Sequence, residues 1–364
     1  MSGTLTPGPL PRMLECDAGL PPRPLLCIVI DTEEDFDWHG PFSRRHVRVS
    51  SMHSIGRGHA IFRRFGLRPT YLIDYPVIDH PAAPDIFGPW QQADECVIGS
   101  QLHPWVTPPY EEVVCPMNSY PSNLDADLQR RKLAVLTTRI REVLGVAPQV
   151  YKAGRYGLDL SFEETLSELG YLVDTSILPY RDNSGFAGGP DFFGYPDRPF
   201  WTAPGHGLFY LPVTQFLTGP LRGVGRTGFG RWLFGPSASA VHLPGVLARL
   251  RLLERIMLSP EGASGDDMRR LTRAMLRDGR RIFALSLHSP SFVPGTTPYV
   301  RSAPELERFI ATIEGYLEFF FGELGGEAVT PLELREMFAQ PAPAPRYATV
   351  ADAIAAPELH IAGR

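Results

Sequence analysis

Paired cysteine spacing is missing from this 364-residue chain: Cys16, Cys27, Cys96 and Cys115 are scattered, with no C-x-x-C among them. That excludes a zinc ribbon and a disulfide framework, and it leaves Cys27 and Cys96, both inside apolar runs, as buried thiols. No apolar run reaches the length needed to span a bilayer. The first nineteen residues carry no apolar stretch behind a basic start, so a cytoplasmic location is expected. A basic excess is also lacking. The formal charge of -5 and a pI near 6.1 argue against nucleic acid as the main partner. No repeat of 20–50 residues is visible.

What is present begins with Leu25 to Glu34, LLCIVIDTEE, an unbroken apolar run that ends in acid. A short β-branched run, apolar on both faces, reads as a buried strand of a parallel sheet or barrel. Barrel enzymes gather their chemistry at the carboxyl ends of such strands. Five acids lie between Asp31 and Asp37. They repel one another unless a cation or proton is shared, although a solvated acidic turn is the plainer alternative.

Further strands are expected at 68–74, 95–99, 149–157, 171–178, 208–213 and 281–288. The intervening segments predict helices at 52–65, 124–144 (stopped by Gly145), 161–169 (with a Ser161–Glu164 capping box and a terminal Gly170), 243–257, 265–277 and 304–324. Strand and helix alternate throughout, so the expected class is α/β with a parallel sheet, a barrel rather than an open sheet. Residues 1–24 are expected to be an extended segment, 25–339 the domain, and 340–364 an Ala/Pro-rich tail.

The polar residues at these strand ends are Asp31, Glu33, Gln101, His103, Lys152, Arg155, Asp174 and His288. They are carried by Ile30–Glu34, Ile98–Trp105, Tyr151–Gly157, Val173–Pro179 and Leu285–Pro290. With these five segments, in this order, the chain resembles the polysaccharide deacetylases of the NodB-homology (carbohydrate esterase 4) type, and within them a WalW-like lipopolysaccharide-biosynthesis branch. The resemblance implies a distorted (β/α)7 barrel that removes N-acetyl groups from an amino sugar of a surface polysaccharide or its precursor. It implies a divalent metal ion, zinc, that polarises the acetyl carbonyl and acidifies a water. Carried over, Asp31 is the base and His288 the acid, with Glu33, His103 and Gln101 at the metal. Lys152 or Arg155 holds the base ionised, and Asp174 helps orient His288. The backbone N–H of Tyr156 is an oxyanion donor, with Gly157 giving substrate room, and Trp105 and Tyr156 offer stacking surfaces for sugar.

Three departures qualify the match. Asp31 and Glu33 are separated by Thr32 where the family has adjacent aspartates, though i and i+2 of a strand share a face; Glu34 or Asp35 are the alternatives to Glu33. Gln101 stands near the place of the first metal histidine, which should weaken zinc binding. Lys152-Ala-Gly-Arg155 replaces the usual Arg-x-Pro. Elsewhere, His53 and His59 read as surface or capping histidines, with His53 a reserve ligand. Asp74 reads as structural, Arg130–Lys132 as a solvated helix face, and Phe319–Phe321 as core or a dimer contact; the oligomeric state is left open. Two rival functions remain: a glycosidase with paired carboxylates, and a non-catalytic deacetylase-like protein that binds glycan or a partner.

Overall fold

A computed structural model describes residues 14–16, 21–38, 40–202, 207–235, 238, 240 and 242–339. The tail expected from 340 onward, and most of the expected extended segment, lie outside these residues. In chain order the strands are β1 (Leu14–Glu15), β2 (Leu25–Thr32), β3 (Thr70–Ile73), β4 (Val97–Leu102), β5 (Val150–Ala153) and β6 (Val173–Asp174). They continue with β7 (Phe200–Trp201), β8 (Phe209–Tyr210), β9 (Gln215–Thr218), β10 (Glu254–Met257), β11 (Ile282–His288) and β12 (Glu327–Ala328).

Ten of these form one sheet: a parallel run in the order β11-β2-β3-β4-β5-β6-β8, with β12 also parallel to β2, and β7 then β1 added antiparallel beyond β8. The architecture is α/β, a curled parallel sheet making an incomplete barrel. Between β8 and β11 no ladder forms among the described residues. There the Thr214 hydroxyl accepts from Ala284 N–H (2.8 Å), Leu258 N–H donates to Thr214 O (2.8 Å), and Ser286 N–H donates to Leu258 O (3.1 Å). This irregular seam is where the barrel is distorted.

Strand alternation decides what reaches the top of the barrel. Leu25, Cys27, Val29, Leu72, Val150, Val173, Phe209, Ile282 and Ala284 pack together inside the sheet. The alternate residues, Leu26, Ile28, Ile30, Phe283, Leu285 and Leu287, pack outward with helix residues such as Phe62, Leu136 and Phe309. Following the inner column, Leu25, Cys27 and Val29 lead to Asp31, while Ile282 and Ala284 lead through Ser286 to His288. Asp31 and His288 are register partners on adjacent strands, as are Gln101 and Lys152. At the other end the helix Pro331–Phe338 adds Leu334 and Phe338 to the inner cluster and closes the bottom.

Several local expectations are corrected. The apolar segment 243–257 is not one helix. It is a helix over Leu243–Arg249 followed by β10, which pairs antiparallel with β9. Apolar periodicity does not separate a short buried strand from a helix. The Ser161–Glu164 capping box is absent: Asp159 accepts from Ser161 N–H, and the helix Glu163–Glu168 starts without a side-chain cap. Phe319 and Phe320 are buried and Phe321 packs on Phe65, so the run is core. A π-helical turn over Glu318–Glu323 lets the adjacent rings face inward. Lys132 is not a solvated helix residue. It is fully buried, paired with Glu112 at 2.8 Å, and donates to Pro104 O and Thr107 O. His59 is buried too, between Tyr71 and Glu95 and stacked on Trp90 at 3.9 Å.

Candidate active site

A cleft of about 590 Å³ opens at the carboxyl ends of the parallel strands, and Asp31, Glu33, Gln101, His103, Lys152 and His288 line it. Two halves can be distinguished by chemistry.

The first is an acid–base half. Lys152 Nζ donates to both Asp31 oxygens, at 2.7 and 2.6 Å, and both residues are buried. His288 Nε2 stands 3.5 Å from Asp31 Oδ2. Its Nδ1 is 2.6 Å from Glu261 Oε2, while Glu261 Oε1 accepts the His288 backbone N–H at 3.0 Å and also the Ser291 hydroxyl. Burial alone would lower the His288 pKa, but the carboxylates of Glu261, Glu33 and Asp31 outweigh it and hold the imidazolium well above its ordinary range. A histidine so charged is a proton donor at neutral pH.

The second half centres on His103. Its Nδ1 lies 2.8 Å from Glu34 Oε2, and Trp105 Nε1–H donates to Glu34 Oε1 at 2.9 Å. Glu34 is fully buried beside Asp74, whose Oδ2 accepts Glu34 N–H (3.0 Å) and whose Oδ1 caps Val77 N–H (2.9 Å). Burial raises the pKa of both acids, Asp74 furthest. Glu34 Oε2 accepts from His103 Nδ1, which leaves Nε2 facing Glu33 Oε2, 3.6 Å away. Two ligands of one tetrahedral zinc at bonds near 2.1 Å lie about 3.4 Å apart, close to this separation. Gln101 Oε1 is buried with no hydrogen-bond partner, an orphaned acceptor among the residues that line the same cleft. The donor set fits a divalent cation. Two groups of His and carboxylate side chains bring their possible ligand atoms within 4.8 Å of one another among the described residues, Asp31–Glu33–His288 and Glu34–Asp74–His103. The oxygens of the second are already spent on hydrogen bonds, and it is better read as scaffolding for His103.

Among the acids after β2, Glu33 alone turns into the cleft beside Asp31. Glu34 serves His103, and Asp35 accepts from Arg48 Nε (2.8 Å) and Ser50 N–H (3.1 Å). Arg155 does not reach Asp31. Its guanidinium donates to Ser119 and lies over Tyr120 at 4.1 Å, because the turn Gly154–Tyr156 swings it outward with φ of 55° at Arg155 and 61° at Tyr156. Asp174 does not orient His288: it accepts from Ser176 N–H (2.7 Å) and Oγ–H (2.9 Å), and Glu261 makes the expected contact instead.

Trp105 is only 2% exposed and stacks on His103 at 4.4 Å, so it props the histidine rather than presenting a sugar platform. Tyr156 lies under the Lys152 ammonium at 4.9 Å. Gly157 makes room for the chain and not for a ligand, since a Cβ there would stand 2.6 Å from Pro121 Cδ. Gly154 has a comparable role, its missing Cβ leaving space for Leu102 O and the His103 ring. His53 does not line the cleft. Sequence reasoning missed Glu261, the Glu34–Asp74 pair, and two exposed aromatics at the mouth. Trp38 (37% exposed) stands edge-on to His288 at 6.1 Å and to Tyr299 at 5.7 Å.

No protein-family model matches the chain, and no curated protein matches it. Solved structures do. A chitin deacetylase from the fungal pathogen Colletotrichum lindemuthianum aligns at 14% identity over 88% of this chain and 89% of its own, with a TM-score of 0.39. A family 4 carbohydrate esterase from Streptomyces lividans aligns at 12% identity over 85% and 94%, with a TM-score of 0.38. Puue allantoinase aligns at 15% identity over 91% and 98%, with a TM-score of 0.49. Among the described residues, no helix is long and apolar enough to cross a membrane.

Proposed function

We propose that this chain is a metal-dependent deacetylase that hydrolyses the N-acetyl group of an amino sugar. The observation that carries the reading is the Asp31–His288 pair. A carboxylate compensated by Lys152 and an imidazolium compensated by Glu261 face each other across 3.5 Å, beside Glu33 and His103. Glu33, His103 and Gln101 would hold the ion. When bound, a divalent ion supplies Lewis acidity toward the acetyl carbonyl and a water of lowered pKa.

The residues of the chain do the rest. Asp31 takes the proton of the attacking water as the water oxygen bonds to the acetyl carbon. His288 gives its Nε2 proton to the departing nitrogen as the C–N bond breaks, leaving acetate and a free amine. Lys152 holds Asp31 in place through both carboxylate oxygens, and Glu261 keeps the His288 ring fixed and protonated. Trp38 and Tyr299 would flank the sugar ring, and the Tyr156 backbone N–H is the proposed oxyanion donor. Paired carboxylates for glycosidic cleavage have no need of the imidazolium or of the His103–Glu33 juxtaposition. The motif resemblance extends the reading to a surface-polysaccharide or lipopolysaccharide precursor, with zinc as the ion.

Incubation with N-acetylated amino-sugar oligosaccharides should release acetate and leave free amines, with no new reducing ends. Chelator should stop the release and added zinc restore it. Chelator-insensitive production of reducing sugar would replace this reading with a glycosidase.

A further inference from the structure

The cleft that holds the acid–base pair is also lined by Arg155, Arg181 and Arg255, and among the described residues no carboxylate pairs with any of the three. The acids nearby are spent on other cations. Glu254 and Asp267 are taken by Arg270, Asp182 and Asp191 by Arg231, and Glu261 by His288. Arg181 and Arg255 repel each other, and three guanidinium groups without a carboxylate partner in one cleft carry a cost that an anion seated among them would relieve.

Each guanidinium is held rather than free. Arg255, half-buried on β10, donates to Tyr180 O at 2.7 Å, and its Cζ lies over the Phe234 ring at 4.6 Å. One of its five N–H donors is so used, and burial, with Arg181 adding repulsion, pulls its pKa down to about 10. Arg155 is sandwiched by Tyr120, Phe42 and Phe186 at 4.1, 5.0 and 5.1 Å. Phe186 belongs to the same loop as Arg181, whose Nε donates to Asn183 Oδ1 at 3.1 Å. Planar forks with spare donors, two of them lying over aromatic rings and the third tied to Asn183, are pre-organised for carboxylate or phosphoryl oxygens.

We propose that Arg155, Arg181 and Arg255 form an oxyanion subsite, and that the amino-sugar substrate bears a phosphoryl or carboxylate group seated in it. The second clause rests on the deacetylase reading; the subsite itself does not.

The test is calorimetric titration of the full chain, dialysed against chelator so that no metal can hold the anion, with inorganic pyrophosphate and separately with glucuronate. At least one should bind. Arg181→Ala, at an exposed position, and Arg255→Gln should each weaken it by about tenfold, the effect of deleting one charge-assisted hydrogen bond. Preference for pyrophosphate assigns a nucleotide- or lipid-linked phosphoryl substrate, and preference for glucuronate an acidic polysaccharide. Binding of neither anion, or binding indifferent to both substitutions, overturns the subsite. In turnover, the Arg181→Ala variant should lose preference for a nucleoside-diphosphate N-acetylhexosamine over a neutral N-acetylglucosamine oligomer. Anion binding that responds to the variants while no substrate releases acetate would uphold the subsite and reject the deacetylase.

Discussion

Glu261 grips His288 at two points, its Oε2 2.6 Å from the ring Nδ1 and its Oε1 3.0 Å from the backbone nitrogen. The first contact sets the charge of the ring and the second its position, so the two roles separate under substitution. Glu261→Gln keeps an acceptor for the backbone but removes the negative charge, so the His288 pKa, now held well up, should fall. An acid works while protonated, so the alkaline limb of the pH–rate profile should move to lower pH. We expect kcat to drop about 10–100-fold at pH 8 with partial recovery near pH 6. An equal loss at every pH would leave Glu261 as a prop only.

Asp31 and Lys152 form a buried ion pair in which both carboxylate oxygens meet one ammonium. Removing one partner strands the other charge in the barrel. Lys152→Met should cost about 3–5 kcal/mol in urea unfolding. The double variant Asp31→Asn, Lys152→Met should recover most of that stability and remain inactive. Activity in the double variant would remove Asp31 from the proposed chemistry, and failure to recover stability would show that the pair is not the source of the cost.

The barrel was legible because each parallel strand is a short apolar run, and because the inner column of such a run ends in whichever polar residue follows it. That logic leads from Leu25, Cys27 and Val29 to Asp31, and from Ile282 and Ala284 to His288. Glu261 was not legible. It sits on a loop after β10, a strand whose apolar run reads equally well as helix, and only the seam between Thr214, Leu258 and Ser286 brings that loop to His288. Trp105 and Lys132 illustrate a second limit: residue type suggests exposure, but burial depends on partners far along the chain, here Glu34 and Glu112. Of the two cations expected beside Asp31, Lys152 takes the place and Arg155 does not, for a conformational reason, two successive left-handed residues that no spacing rule anticipates.

Asp174 predicts a pH-dependent stability that does not involve catalysis. Burial raises its pKa from 3.8 to about 7, only partly offset by the Ser176 hydrogen bonds and the Lys152 charge. Because the folded-state value lies above the unfolded one, the folded protein binds the proton more tightly between them. Its contribution is complete below about pH 4 and is lost as pH rises through 7. Asparagine can accept from Ser176 N–H without ever ionising. Between pH 5.5 and 8.5, therefore, Asp174→Asn should gain about 2 kcal/mol on wild type. Parallel stability curves for the two proteins over that range would contradict the assignment.

The metal half of the site is best tested by affinity, since binding can be read without turnover. Gln101 Oε1 is buried, unpaired and lines the same cleft as Glu33 and His103, so a stronger ligand at 101 should complete what the amide serves weakly. Gln101→His should tighten zinc binding by about tenfold or more, measured by titration against a competing chelator. His103→Ala should weaken it most, because it removes the imidazole nitrogen that faces Glu33 Oε2. Trp105→Phe supplies the discriminating case. It keeps the ring that stacks on His103 but loses the N–H to Glu34, loosening the carboxylate that fixes the histidine tautomer. The expected loss is about 10-fold, within the range for a partner that orients a ligand without touching the ion. Were zinc affinity indifferent to both His103→Ala and Trp105→Phe, the ion would have to sit elsewhere, and Glu33 with His103 would be left as a hydrogen-bonding pair.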